Sequence, residues 1–325
     1  MKSVHYLKTS TKKYCLEYCS TPVPKIKSDE ILVRIRCSSL NINDYERYKP
    51  QKTILARLIN LFQGRESHPL GGEFSGIVES VGVDVTNFKK GDFIMGMSEG
   101  VFPYGCWAEY AVCKSDRVVK KPSYLSFYEA GVVSLSGVAA ISGLLVCDIK
   151  QNDSLLIIGA SGGVGLLTLQ LAKALGCRIT AICSSRNIPL AYKYGADSVF
   201  DYNSIEGLSS VGVFDKIIGI NGNYKLKDIA NCLKVGGAYT VVGNVKQLFS
   251  TIPWLLLSKV IGKDFRISSV ALSRCERELS ELIRVMSDSY IIPYIDKIYT
   301  LENIEEALDY ILKNHAQGKV AISVN

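Results

Sequence analysis

Residues Ile157–Lys173 read IIGASGGVGLLTLQLAK: a short apolar run, a glycine turn and an amphipathic segment. Ala160, Gly162 and Gly165 fall at i, i+2 and i+5, the G-x-G-x-x-G spacing with alanine in the first place. Ser161, Gly163 and Val164 complete the turn. The run Leu155–Ile158 predicts a strand and the segment after Gly163 a helix, the context this spacing requires. Gly162 lets the backbone approach a pyrophosphate, and Gly165 lets the helix pack close to the strand. A helix N-terminus offers free N–H groups and a positive dipole end to phosphates. The turn therefore predicts a dinucleotide-binding, doubly wound parallel sheet.

The chain on either side supports two domains. After Pro122, strand and helix patterns alternate with short connections: CRITAIC, IPLAYKYGA, FDKIIGI, YKLKDIANCLK, GGAYTVVG and DFRISSV. Before it, short strands separated by Gly, Asn, Asp and Lys turns predict an all-β barrel or sandwich. One segment, YERYKPQKTILARLINLF, carries Ile54, Leu55, Leu58, Ile59 and Phe62 at helical spacing. AGVVSLSGVAAISGLLV is too short and too rich in serine and glycine to span a bilayer and reads as a buried helix. STIPWLLLSKVIGKDF, Ser250–Phe265, reads either as a cleft lining or as an oligomer contact.

The strand after the turn ends in ITAICSSRN. An acidic residue about 20 positions after the glycines would bind the ribose 2′-OH of NAD. Ser184, Ser185 and Arg186 stand here instead; hydroxyls and a guanidinium suit a 2′-phosphate that a carboxylate would repel. NADP(H) is the expected cofactor.

Composition excludes several classes. The net charge of +7 comes from scattered lysines, not from the clustered basic stripe of a nucleic-acid binder. Ten cysteines are spread from Cys15 to Cys275 with no C-x-x-C, which argues against a disulfide scaffold and for a reducing compartment. The N-terminal stretch has no apolar signal core. A cytoplasmic protein acting on a small molecule, with no nucleic-acid or membrane partner, is expected.

At these residues the chain resembles the medium-chain dehydrogenase/reductase superfamily, in its zinc-free quinone oxidoreductase (zeta-crystallin-like) branch. The resemblance rests on SSLNINDYE, LGGEFSGIVESVGVDVTNFKKGD, GASGGVG, YGADSVFDY and HAQGKVAI, and runs over almost the whole chain. It implies a GroES-like β-barrel catalytic domain from both chain ends, residues 1–121 and 288–325. A Rossmann-like NADP-binding domain would span residues 122–287, and the assembly would be a homodimer. It also implies that Tyr202 lies beside the adenosine 2′-phosphate, Gly243 and Asn244 near the nicotinamide half, and Lys319 near the cofactor.

Alcohol dehydrogenases of that superfamily hold a catalytic zinc, and HPLGGEFSGIVESVG, His68–Gly82, tests for it. Asn41 and Gly72 stand where the first two ligands would be, leaving Glu73 without the roughly three protein ligands a catalytic zinc needs. The four-cysteine loop of a structural zinc is reduced to Cys106, and His5, His68 and His315 share no ligand spacing. No zinc is expected, Glu73 reads as a structural carboxylate and His68 as a loop residue. Without a Lewis acid, conjugated acceptors such as quinones and α,β-unsaturated carbonyls are the expected substrates. Asn41, Asp44, Tyr45 and Tyr48 are the candidate catalytic residues. Both tyrosines read equally as amphipathic surface residues, and Glu46 falls on the position where some relatives carry a tyrosine. Ala139 replaces a threonine common near the nicotinamide, so solvent is left as a possible proton source. Two alternatives stay open: a zinc-free alcohol or ketone dehydrogenase of the same fold, and an NADPH-binding sensor or structural protein.

Overall fold

A computed structural model describes residues 1–8, 14–41, 44, 69–98, 105–220, 224–243, 245–267, 276–314 and 316–324. In chain order, β1 (Lys2–Lys8), β2 (Tyr14–Ser20), β3 (Glu30–Leu40), β4 (Glu73–Val81), β5 (Phe93–Met97), β6 (Tyr110–Lys114) and β7 (Val118–Lys120) come first. Helices α1 (Phe127–Gly131) and α2 (Ser134–Val146) follow. Then come β8 (Ser154–Ile158), α3 (Gly163–Ala174), β9 (Arg178–Cys183), α4 (Ile188–Lys193), β10 (Ser198–Asp201) and β11 (Phe214–Gly219). Next are α5 (Leu226–Asn231), β12 (Leu233–Val241), α6 (Val245–Ile261), β13 (Asp264–Ile267) and α7 (Glu276–Asp288). β14 (Ile295–Thr300), α8 (Ile304–Asn314) and β15 (Lys319–Ser323) close the order. The helical spacing over Ile54–Phe62 lies outside the described residues.

The chain forms two compact units. The first holds residues 1–135, 274–280 and 295–325; the second holds 136–273 and 281–294.

The first unit is built on β3, whose Ile31, Val33 and Ile35 alternate into the core with Phe74, Ile94 and Trp107. β4 pairs antiparallel along one edge of β3. The other edge is shared: Glu30–Arg34 pairs with β6, and Cys37–Leu40 pairs with β15. The sheet runs β14-β15-β3-β4-β5-β7, so the strand from residues 319–323 is an inner one. Beyond Cys37 the alternation of β3 stops and every residue is buried, because α1 covers this end. A Cβ at Gly131 would stand 2.7 Å from the Cys37 sulfur, so only glycine allows this approach. Ser126 and Glu129 start α1 with a reciprocal capping box.

The second unit carries six parallel strands in the order β10-β9-β8-β11-β12-β13. The inner strand β8 is buried along Leu155–Ile158, which is why it reads as an unbroken apolar run. The order reverses between β8 and β11, and the crevice at such a switch point is where this architecture binds dinucleotides. The single buried helix expected over residues 130–146 is instead two helices, with α1 ending before Val132 and α2 starting at Ser134. Segment 250–265 is mostly helix: Trp254 packs on Phe265 at 5.0 Å between ring centroids, and Thr251 is buried. The opposite face of α6 leaves Ile252, Leu255, Leu256 and Leu257 exposed.

Candidate active site

The glycine turn begins where β8 ends. Gly159 has a φ of +86°, which turns the chain sharply, and its N–H and that of Ala160 both donate to the carbonyl of Ile182 on β9. Ala160 is buried, and Ser161, Gly162, Gly163 and Val164 are half-buried. Gly162 is the N-cap of α3 and offers no side-chain cap, so the first helical N–H groups face outward uncapped by it. A Cβ at Gly162 would meet nothing within 4 Å: the space in front of the helix is open. At Gly165 the opposite holds, since a Cβ would stand 2.4 Å from the Gly159 carbonyl oxygen and 2.5 Å from the Ala160 carbonyl carbon. One glycine keeps the space clear and the other lets helix and strand touch. This arrangement fits a bound pyrophosphate.

Ser184 and Arg186 follow β9, and Tyr202 follows β10, at neighbouring C-terminal strand ends. The two strands pair in parallel with Asp201 opposite Cys183, and the Tyr202 N–H donates to the Cys183 carbonyl at 3.1 Å. Ser184 Oγ accepts from the buried Asn187 amide at 2.8 Å, which leaves its hydroxyl hydrogen to donate elsewhere. Arg186 and Tyr202 are exposed. Burial pushes the Cys183 thiol up to about 11, with Asp201 adding to the shift, so it stays neutral beside this group. Gly243 follows β12 with a φ of +77° and open space around it. Asn244, Tyr45, Tyr48, Glu46, His68 and His315 lie outside the described residues.

A second polar group lies inside the first unit, where the end of β3 meets the beginnings of β4 and β15. Glu73 is fully buried. Its Oε1 accepts from Ser39 Oγ, from Asn41 Nδ2 at 3.1 Å and from Lys319 Nζ at 2.7 Å. Its Oε2 accepts from the Leu135 N–H at 2.6 Å. Lys319, 4% exposed, also donates to Asn41 Oδ1 at 2.5 Å. Asp44 is buried and caps the turn, with its Oδ2 accepting from the Asn41 N–H at 2.8 Å and its own N–H donating to the Asn41 carbonyl at 3.0 Å. Trp107 Nε1 donates to the Ser39 carbonyl, fixing β3 from behind. Asn41, Asp44, Glu73 and Lys319 carry separate readings in the sequence; the fold brings them together. It puts the Lys319 ammonium on Glu73 and Asn41. Ser39 was missed, and its only signal was its place two residues before Asn41.

The residues here do not fit a zinc ion. The carboxylate oxygen that could ligate is occupied by three donors, one of them an ammonium. Gly72 offers no ligand, although a Cβ there would only touch Leu135 at 3.5 Å. Cys106 is buried, and burial, with Asp44 and Glu73 nearby, pushes its thiol far above the ordinary range, against the thiolate that zinc needs. Among the described residues no three His, Cys, Asp or Glu side chains cluster as metal ligands do.

Comparisons with known proteins show the family. Residues 27–123 match the alcohol dehydrogenase GroES-like domain, and residues 163–288 match a domain described as zinc-binding dehydrogenase. The chain is 27% identical to the chloroplast envelope quinone oxidoreductase homolog of Arabidopsis thaliana, over 94% of this chain and 93% of that one. It is 28% identical to the 2-methylene-furan-3-one reductase of Solanum lycopersicum, over 92% of this chain and 73% of the other. The quinone oxidoreductase structure from Coxiella burnetii superposes with a TM-score of 0.83 at 26% identity, covering 100% and 99% of the two chains. The chain belongs to the medium-chain dehydrogenase/reductase superfamily of NAD(P)-binding oxidoreductases, in its quinone oxidoreductase branch.

The two glycines separate folding from binding experimentally. Gly162→Val should leave the melting temperature unchanged and weaken NAD(P)H binding more than about tenfold, because the side chain fills only the phosphate's space. Gly165→Ala should cost about 1–3 kcal/mol of stability, because backbone atoms must move. Thermal melts and fluorescence titrations of the two variants read both effects.

Proposed function

We propose that this protein is a zinc-independent, NADPH-dependent reductase of quinones and α,β-unsaturated carbonyls. The observation that carries the reading is the Lys319 ammonium on Glu73, on the group where zinc-using relatives ligate their metal. Two relatives named as a quinone oxidoreductase homolog and a furanone reductase support the acceptor class. In the domain reading, residues 122–287 bind the cofactor and residues 1–121 with 288–325 form the catalytic domain.

NADPH would be held by the turn Ala160–Gly165, by Ser184, Arg186 and Tyr202 at the 2′-phosphate, and by Gly243 and Asn244 at the nicotinamide half. When bound it supplies a hydride. A conjugated acceptor spreads the resulting negative charge into an enolate or phenolate and so needs less Lewis-acid help than a simple ketone. Asn41, Asp44, Tyr45 and Tyr48 are assigned to the acceptor's side, with Tyr45 and Tyr48 hydrogen-bonding its oxygen and solvent completing protonation. The described cysteines are free thiols, which supports a reducing compartment, the cytoplasm in this reading.

We further propose a homodimer through β13 and α6. β13 ends the six-strand path, and the exposed Ile252, Leu255, Leu256 and Leu257 lie on the helix packed against it. An antiparallel pairing of two β13 strands centred on Phe265 sets Asp264 of one copy against Arg266 of the other. Leu256, 85% exposed, becomes buried in such a dimer. Leu256→Glu should convert the dimer to a monomer in sedimentation velocity; a wild-type monomer would defeat the assignment.

Initial rates of NADPH oxidation with a chelator present, against an ortho-quinone and a medium-length enone, test the function. Turnover that survives chelation and exceeds that with NADH is expected. Turnover lost on chelation and restored by zinc would overturn the metal argument. Binding of NADPH without turnover of either acceptor would favour a sensor, and faster turnover of an alcohol would favour the dehydrogenase.

A further inference from the structure

Asn41 is held at both ends of its amide by groups of opposite charge. Lysine has only donors, so the Asn41 atom facing Lys319 Nζ at 2.5 Å is the carbonyl oxygen. An ionised glutamate has only acceptors, so the atom facing Glu73 Oε1 at 3.1 Å is the amide nitrogen. A flipped amide would set NH₂ against ammonium and carbonyl against carboxylate, two repulsions in a buried setting. Ser39 Oγ takes the remaining amide hydrogen at 2.9 Å. Both Nδ2 hydrogens are thus used. Oδ1 has two lone pairs and Lys319 takes one, so the only capacity Asn41 has left is to accept a single hydrogen bond.

We propose that Glu73 and Lys319 are positioning residues that present Asn41 as a hydrogen-bond acceptor. Asn41 therefore recognises a ligand hydroxyl, such as that of a hydroquinone, and does not donate to the acceptor's carbonyl oxygen. This rests on the reading above, in which Asn41 serves the acceptor's side. It explains why a buried ion pair is kept at three converging strand ends. A hydrophobic pair could fill the space, but it could not set the direction of an amide.

The test pairs a charge-free double variant, Glu73→Gln with Lys319→Met, with the conservative Lys319→Arg. The double variant removes both charges, so no lone charge is left buried, and thermal melts establish that it folds. In ¹⁵N-asparagine-labelled protein, the Asn41 amide pair is identified by its loss in Asn41→Asp. In the wild type its two hydrogens should exchange with water at least about tenfold more slowly than those of exposed asparagines, while in the double variant the difference should vanish. With NADPH and the quinone as substrates, the hydroquinone product should inhibit the folded double variant about tenfold more weakly than the wild type, the scale of one hydrogen bond, and Lys319→Arg should keep most of that inhibition. Unchanged exchange in the double variant would show that the pair does not hold Asn41. Freed exchange with wild-type inhibition by the hydroquinone would show that the held amide does not receive the ligand hydroxyl. Either outcome overturns the proposal. A wild type that reduces neither acceptor would instead end the functional reading, while the exchange measurement still decides whether the pair holds the amide.

Discussion

Glu73→Ala is expected to lower the stability of the first unit by about 3–5 kcal/mol, which a denaturant melt will show as an early transition. The magnitude follows from burial. The side chains of Lys319 and Glu73 are 4% and 0% exposed, so removing the carboxylate leaves an ammonium in low dielectric without the Glu73 charge. A surface pair gives the contrast. Arg284 and Asp288, at 58% and 65% exposed, are screened by water, and breaking that pair should change stability by less than about 1 kcal/mol. Adding Lys319→Met to Glu73→Ala should recover part of the loss, because no charge remains to be compensated. If Glu73→Ala melts with the wild type, the ion pair does not hold the strand ends together.

The second large effect is expected in cofactor choice. Ser184→Asp with Arg186→Leu should shift the ratio of kcat/KM for NADPH over NADH by at least about two orders of magnitude toward NADH. Removing a charge-assisted bond to the 2′-phosphate costs about 1.5–3 kcal/mol, and a facing carboxylate adds like-charge repulsion. At 1.4 kcal/mol per tenfold, these together exceed two decades. The fold should tolerate the change: an aspartate can still accept from Asn187 as Ser184 Oγ does now, and Arg186 is exposed. Initial rates with both cofactors decide it. An unchanged ratio would mean that these residues do not read the 2′ position.

The two sites differ in how far the linear chain announces them, and the reason is physical. The glycine turn is local: strand, turn and helix lie within about 20 residues, and each demands a residue type that the others support. The parallel sheet follows from strand–helix alternation, since each crossover must return the chain to the same sheet. The Glu73 group has no such local code. Glu73 and Lys319 are 246 positions apart and meet because β3 divides one edge between β6 and β15. The resemblance supplied Lys319 but not its pairing with Glu73. The break between α1 and α2 was also hidden, because the apolar pattern runs through Val132 and Val133 without interruption, and both are buried.

The inner position of β15 has a consequence for how the protein is made. Glu73 leaves the ribosome 246 residues before the lysine that neutralises it. At ordinary rates of synthesis that is a wait of about 10–50 s. Throughout it, the Cys37–Leu40 edge of β3 has no partner from its own chain, and an open strand edge is a template for pairing with a neighbour. The parallel sheet, by contrast, draws its strands from one continuous segment and can assemble during the delay. Nascent chains released before Lys319 should therefore carry a finished nucleotide-binding sheet beside an unsealed one, which makes the emerging first unit the natural client for a chaperone.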